Sequence, residues 1–151
     1  MSNNAFGNTP VTQVGIVVKD IEATARAWSQ LLGLPMPAIR VTDPAEQAQT
    51  EYRGERTPAR ARLAFLPLGQ VTVELIEPLG GSSTWQEHLD THGESVHHIA
   101  FEVQGMKDTL AYLAASDVPL IQKGEYTGGR YAYVDSADKL GVVLELLEND
   151  R

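Results

Sequence analysis

The chain contains no cysteine, which excludes disulfides, thiolate metal sites and cysteine nucleophiles. No apolar run approaches the roughly 18 residues that a membrane-spanning helix needs. Basic residues are outnumbered, 12 against 20 acidic ones, and the net charge of −8 argues against nucleic acid or an anionic membrane as a partner. Residues 1–10 are polar and lack the basic-then-apolar pattern of a secretory signal, so we expect a cytoplasmic protein.

The chain does have the size and composition of one folded domain. It has 151 residues, of which 42% are hydrophobic and 21% charged, and this is enough to bury a core. No low-complexity stretch interrupts it. We therefore treat residues 1–151 as a single domain.

A strand pattern occurs twice along the chain. Residues 11–18 (VTQVGIVV) return as residues 96–103 (VHHIAFEV), and the segment VELIE returns near the end as LELLE. A duplicated pattern indicates two equivalent modules packed together. The boundaries predicted on this basis are a first module over about 11–78, a connecting helix over about 82–93 and a second module over about 95–148.

Local signals predict where the elements of the first module begin and end. Asp20 has the character of an N-cap, and apolar residues follow it at helical spacing until Gly33. Residues 40–60 are polar and interrupted by proline and glycine, so we expect a long loop with one irregular strand. A hairpin follows, with its turn at residues 67–69. In the second module we expect a helix at 106–116 and strands near 120–123, 130–134 and 141–148.

Each module places one metal-capable side chain early and one carboxylate late. Residues two apart in a strand share a face, and each early side chain shares its face with a small residue, Gly15 or Ala100. A glutamate inside an apolar strand costs several kcal/mol unless it meets a partner or water. The glutamates therefore either line a common site or lie on a solvated sheet face. The four matched candidates are Gln13, Glu74, His98 and Glu145.

With these motifs, residues 11–148 resemble the vicinal oxygen chelate superfamily, which includes glyoxalase I, methylmalonyl-CoA epimerase, extradiol dioxygenases and bleomycin-resistance proteins. The resemblance implies an α+β fold of two tandem βαβββ modules, whose curved mixed sheets enclose a metal-binding cleft. It also implies a divalent ion (Co, Ni, Zn or Mn). Because His98 is in register with Gln13, the adjacent His97 should point the other way and have no metal role. The implied metal ligands are Gln13, Glu74, His98 and Glu145.

The chain departs from each of these relatives in a different way. Residues 75–80 and 96–103 most resemble methylmalonyl-CoA epimerases, which normally carry histidine at the position of Gln13. The donor set Gln, Glu, His, Glu is that of eukaryotic-type glyoxalase I, but those enzymes usually have arginine at the position of Val17. Extradiol dioxygenases need two histidines and a carboxylate, and antibiotic-binding members lack the metal set, so both are disfavoured.

The donor set predicts proton transfer next to a carbonyl. A divalent ion polarises a carbonyl, and a glutamate beside it can act as the base. Glu74 and Glu145 belong to different modules, so one can remove a proton and the other return one. We expect a metal-dependent isomerase or epimerase that works through an enolate or enediolate, similar to methylmalonyl-CoA epimerase. The alternatives are a glyoxalase I-like lactoylglutathione lyase and a non-catalytic small-molecule binding protein.

Arginines are concentrated between residues 53 and 62 of this acidic chain. They fit either a solvated loop or a clamp for a carboxylate or phosphate. The second possibility predicts an anionic small-molecule substrate, such as a CoA thioester or a carboxylate. The resemblance further implies a homodimer, whose site lies within one chain or is shared between two. The candidate substrate-binding residues are Arg53, Arg56, Arg62 and Arg130.

Overall fold

One mixed sheet of ten strands carries most of the part of the chain that the structure describes, residue 6 and residues 9–151. The structure is a computed structural model. Its strands are β1 (Gln13–Val17), β2 (Ile39–Val41), β3 (Glu51–Tyr52), β4 (Glu55–Arg56), β5 (Arg60–Leu68), β6 (Val71–Leu79), β7 (Ser95–Glu102), β8 (Leu120–Tyr126), β9 (Gly129–Val134) and β10 (Val143–Asn149). Its helices are α1 (Ile21–Leu32), α2 (Ala45–Ala48), α3 (Thr84–His92), α4 (Met106–Ala115) and α5 (Ala137–Leu140).

The strand order shows two copies of one arrangement. In the first copy β1 runs parallel to β6, which pairs antiparallel with β5 and through it with β2. In the second copy β7 runs parallel to β10, which pairs antiparallel with β9 and through it with β8. The antiparallel pair of β1 and β7 joins the copies. The sheet curls into a half-barrel, and the predicted α+β fold with paired modules is confirmed.

The helices begin where the sequence predicts, because side chains satisfy their free N–H groups. Asp20 Oδ1 accepts from the backbone N–H of Ala23 at 3.1 Å, and Ser83 Oγ accepts from that of Gln86 at 3.0 Å. Helix α1 ends at Gly33, whose φ of 67° lies in the left-handed region that glycine adopts without strain. No helix in the described ranges is long and apolar enough to cross a membrane.

A second pair of repeat-matched glutamates ties each module's main helix to its last strand. Glu77 Oε1 in β6 accepts from the first backbone N–H of α1, that of Ile21, at 2.9 Å. In the second copy, Glu148 Oε2 in β10 accepts from the first backbone N–H of α4, that of Met106, at 3.0 Å. A carboxylate at a helix N-terminus satisfies a free donor and opposes the positive end of the helix dipole. The repeated glutamates therefore have a structural task in both modules.

Two details of the chain differ from expectation. Residues 40–60 are not a long loop, because they contain β3, β4, the helix α2 and the last residues of β2. The hairpin turn lies at Gly69 and Gln70 rather than at residues 67–69, and strand β5 continues through Pro67. Strand β2 covers only residues 62–64 of β5, so Pro67 lies beside a free edge, where a missing N–H costs little.

Candidate metal centre

The side chains of four residues converge at the centre of the sheet. His98 Nε2 in β7 lies 3.0 Å from Gln13 Oε1, 3.3 Å from Glu74 Oε1 and 3.1 Å from Glu145 Oε1. One ligand atom each from Glu74, His98 and Glu145 lies within 4.8 Å of the others. The structure thus brings together all four residues that the sequence nominates. Their role as metal ligands stays a prediction.

The strand register explains why these side chains meet. Across the β1–β7 pair, Gln13 lies opposite Ala100 and His98 lies opposite Gly15. The parallel neighbours complete the pattern, with Glu74 beside Gly15 and Glu145 beside Ala100. Each of the two small residues therefore stands between one early and one late candidate ligand. The pattern is the same in both modules, so the two halves of the site are related by the duplication.

Gly15 has no room for a side chain. A β-carbon there would lie 2.0 Å from Cε1 of the His98 ring, far inside van der Waals contact. The His98 ring is fully buried and occupies the volume that a side chain at Gly15 would fill. Glycine at this position is therefore what allows the imidazole to lie flat across β1.

Burial and charge oppose each other at the site. Glu74 is 7% exposed and Glu145 4%, which places two carboxylates out of solvent around one ring. Burial, and then the nearby charge of Glu145, raise the pKa of Glu74. Burial alone would lower the pKa of His98, but Glu145 and Glu74 outweigh it and raise that pKa to about 9. The site therefore requires a positive charge between the two carboxylates.

These residues fit a divalent ion. Two carboxylate oxygens, an imidazole nitrogen and an amide oxygen are donors suited to Mn, Co, Ni or Zn, and an ion would supply the positive charge that the buried carboxylates require. The Gln13 amide fits the site in two orientations. As a donor, its nitrogen would lie 2.9 Å from Glu145 Oε1 and 3.1 Å from Glu74 Oε1, whereas an ion would require its oxygen to face inward.

Three of the four side chains, those of Gln13, Glu74 and Glu145, line a cleft of about 510 Å³, while His98, which they contact, is fully buried. The walls of the cleft are largely aromatic and apolar: Phe65, Trp85, Tyr126, Tyr131 and Tyr133 are among the lining residues. The indole N–H of Trp85 donates to the hydroxyl of Tyr133 at 3.0 Å, which fixes both rings. Trp85 is buried, as its place on an apolar helix stripe predicts, and Trp28 is partly buried against the core. The cleft offers a small carbonyl compound a mostly dry environment.

The four arginines nominated for substrate binding do not line this cleft. Arg53 forms an ion pair with Glu87 at 2.8 Å, and Arg62 lies 3.6 Å from Glu77. The other two contact groups elsewhere: Arg56 donates to the carbonyl oxygen of Ala45, and Arg130 pairs with Glu148 and Asp150. The structure therefore does not gather these arginines into a clamp around the candidate site.

A different arginine does line the cleft. Arg40 in the edge strand β2 is exposed at its wall, near Asp43. Arg40 could not be selected from the sequence, because residues 40–60 are predicted as a loop whose direction local patterns do not determine. Strand pairing with β5, which requires the whole fold, turns this segment towards the site.

Comparison with known proteins identifies the family. The model of the glyoxalase/bleomycin resistance protein/dioxygenase superfamily matches residues 12–134. The chain belongs to this superfamily. The uncharacterized protein YqjC of Bacillus subtilis (strain 168) is 33% identical over 138 residues, which cover 89% of each chain. The 2-epi-5-epi-valiolone epimerase of an Actinomyces species is 28% identical, over 93% of this chain and 80% of its own.

A solved structure shows the same superfamily fold. The crystal structure of methylmalonyl-CoA epimerase from Mycobacterium tuberculosis matches with a TM-score of 0.66 at 21% identity. The match covers 100% of this chain and 94% of that one. At this identity the likeness establishes the fold. The family model over residues 12–134 confirms, at the level of the superfamily, the resemblance inferred from the repeated strands and their side chains.

Proposed function

We propose that this protein is a metal-dependent epimerase or isomerase that moves a proton at the carbon next to a carbonyl. One observation carries the proposal: two buried carboxylates, one from each module, converge on His98. Glu74 projects from β6 and Glu145 from β10, with β1 and β7 between those strands in the sheet. They can therefore act on a bound carbon from opposite sides, as epimerisation requires.

The chain's own residues supply the proton transfer. When bound by Gln13, Glu74, His98 and Glu145, a divalent ion would polarise the substrate carbonyl and acidify the neighbouring C–H bond. Glu74 is one candidate base, because its carboxylate oxygen lies within the site, 3.3 Å from His98 Nε2. Glu145 is the candidate partner on the other side. With a substrate filling the cleft, its aromatic walls would shield the reacting carbon from water.

The substrate we propose is a small carbonyl compound with an acidic C–H bond. The names of the relatives offer two chemical classes, an acyl-CoA thioester and a cyclic polyhydroxy ketone. An anionic substrate would meet Arg40 at the cleft wall. A glyoxalase I-like reaction is less well supported, because Val17, which holds the position of that family's usual arginine, is fully buried in the core.

Exchange of substrate hydrogen with solvent tests the proposal. The protein, loaded in turn with Co, Ni, Zn and Mn, is incubated in D₂O with methylmalonyl-CoA, with 2-epi-5-epi-valiolone and with the methylglyoxal–glutathione hemithioacetal. Proton NMR then follows the signal of the exchangeable C–H. Metal-dependent loss of that signal with either of the first two supports epimerisation, and turnover of the third alone supports the lyase. A protein that stays metal-free after all four incubations, or binds ligands without exchange, contradicts the proposal.

A further inference from the structure

His97 interrupts the pairing of β7 with β1. Gly15 lies opposite His98, but the next residue, Ile16, lies opposite Val96, so His97 is the extra residue of a β-bulge. A bulge breaks the strict alternation of side chains along a strand. The His97 ring faces α3, yet its Nδ1 lies 2.8 Å from Nδ1 of His98, with the two rings nearly perpendicular. A direct hydrogen bond therefore joins two buried imidazoles.

The direction of this hydrogen bond follows from the chemistry of imidazole. If Nε2 of His98 binds an ion, it uses its lone pair, and the ring proton must be on Nδ1. That N–H then donates to Nδ1 of His97, which must be unprotonated. A proton on both Nδ1 atoms would set two N–H groups against each other at hydrogen-bond distance. The proton of His97 is consequently on its Nε2.

The other side of His97 supplies a partner for that proton. Nε2 of His97 lies 3.0 Å from the hydroxyl oxygen of Thr84, the first residue of α3. Thr84 is itself fixed, because its backbone N–H donates to Gln122 Oε1 in β8 at 2.9 Å. A short chain of hydrogen bonds thus runs from His98 through His97 to the start of α3. All of its members are buried.

We propose that His97 is a positioning residue for the metal centre, which accepts the Nδ1–H of His98 and so directs the Nε2 lone pair at Gln13, Glu74 and Glu145. The inference rests on the proposed function, since it assigns His98 to the ion. An acceptor behind a ligating histidine fixes its tautomer and orientation and increases its basicity. Removing such an acceptor lowers metal affinity by about 10–100-fold.

Two substitutions at one position test the role. His97→Leu fills the space without an acceptor, whereas His97→Asn places an amide oxygen near the position of Nδ1. Zn²⁺ affinity is measured on the full chain, without substrate, by competition with a chromophoric chelator. We expect His97→Leu to weaken Zn²⁺ binding by about 10–100-fold and His97→Asn to recover most of that loss. Equal affinity in wild type and His97→Leu, or equal loss in both variants, would overturn the proposal.

A measurement on the wild type keeps the test decisive if His97→Leu does not fold. The chain has only 4 histidines, so ¹⁵N-histidine labelling gives a tractable spectrum of the Zn²⁺-loaded protein. We expect the ring proton of His98 on Nδ1 and that of His97 on Nε2; the reverse tautomers contradict the proposal. If the wild type binds no divalent ion, the proposed function fails and the inference with it. If the wild type binds an ion and His97→Leu leaves the Zn²⁺ affinity unchanged, the inference alone fails.

Discussion

Gly15 and His98 share one space: they face each other across β1 and β7, and the imidazole occupies the volume where a β-carbon of Gly15 would be. The small residue at the equivalent place in the second module, Ala100, lies opposite Gln13, a thinner and more flexible side chain. The smaller residue, glycine, thus lies opposite the bulkier early donor, His98, and alanine lies opposite the slimmer Gln13. Glycine at position 15 is what leaves room for the imidazole ring.

Gly15→Ala should displace His98 and disable the centre. The added methyl would lie 2.0 Å from Cε1, so the ring or the strand must move. Overpacking of this kind costs about 1–3 kcal/mol of stability, and we expect Zn²⁺ affinity to fall as well. Ala100→Gly is the matched control, because it removes a methyl at the related position; it should keep Zn²⁺ binding. Calorimetry and chelator competition measure both effects, and an unchanged affinity in Gly15→Ala would contradict the expectation.

Glu74→Gln and Glu145→Gln should each slow solvent exchange at the substrate carbon, because glutamine keeps the shape but cannot take a proton. General acid–base catalysis contributes about 10²–10⁴-fold, so we expect losses of that size under saturating metal. Glu77→Gln and Glu148→Gln are the controls from the same strands. They weaken a helix cap, should cost about 1 kcal/mol of stability and should leave the exchange rate intact. An exchange rate in Glu145→Gln equal to that of the wild type would show that Glu145 takes no part in the proton transfer.

His98→Ala should reduce Zn²⁺ affinity more than Gln13→Ala does. The imidazole is the single nitrogen donor of the four candidate ligands, whereas an amide oxygen is a weak neutral donor that water can replace. Isothermal titration of both variants gives the comparison. Equal losses would mean that Gln13 contributes as much as the imidazole.

The stability of the metal-free protein should fall as pH rises, whereas its affinity for Zn²⁺ should increase. In the metal-free protein the folded-state pKa of His98 is raised from 6.5 to about 9, so its stabilising contribution is complete below about pH 6.5 and is lost as pH rises through 9. Zn²⁺ must displace the same proton, so its affinity should rise by about tenfold per pH unit below 9. Urea unfolding and Zn²⁺ titration between pH 6 and 9 measure the two trends. In His98→Gln both should be reduced, and a flat Zn²⁺ affinity in the wild type would contradict the assignment.

A homodimer with independent sites is the assembly we predict. The family resemblance implies pairing, and the four candidate ligands meet within one chain, so no second subunit is needed to complete the set. Sedimentation at tens of micromolar should show the dimer. Mixing Gln13→Ala with His98→Ala subunits should restore no exchange activity; recovery on mixing would show that the site is shared between chains.

The positions of the candidate ligands were predictable because they depend on periodicity. A residue two places from Gly15 in a strand shares its face, and the repeat carries the same relation into the second module, so Gln13, His98 and the two glutamates could be selected without coordinates. The helix starts were predictable from Asp20 and Ser83 for an equally local reason, the need of free N–H groups for acceptors.

The remaining features depend on contacts between distant segments. Strict alternation assigns His97 to the opposite face, but the bulge against β1 brings its ring into contact with His98. The arginines between residues 53 and 62 fitted either a solvated loop or an anion clamp, and the structure pairs Arg53 with a carboxylate of α3 instead of placing it at the cleft. No local sequence pattern predicts which carboxylate an arginine will pair with.

The seam between β1 and β7 has a consequence for unfolding. It joins the two copies at the centre of the sheet, and each copy brings two of the four donors to it; the short pair of β3 with β8 is a second ladder between them. A coordinated ion would therefore act as a cross-link between halves that otherwise share the β1–β7 pair, the short β3–β8 pair and the packing of α3. Withdrawing the ion above about pH 9, where His98 is no longer protonated, would leave two carboxylates repelling each other across the seam, so we expect the first opening of the chain to start there.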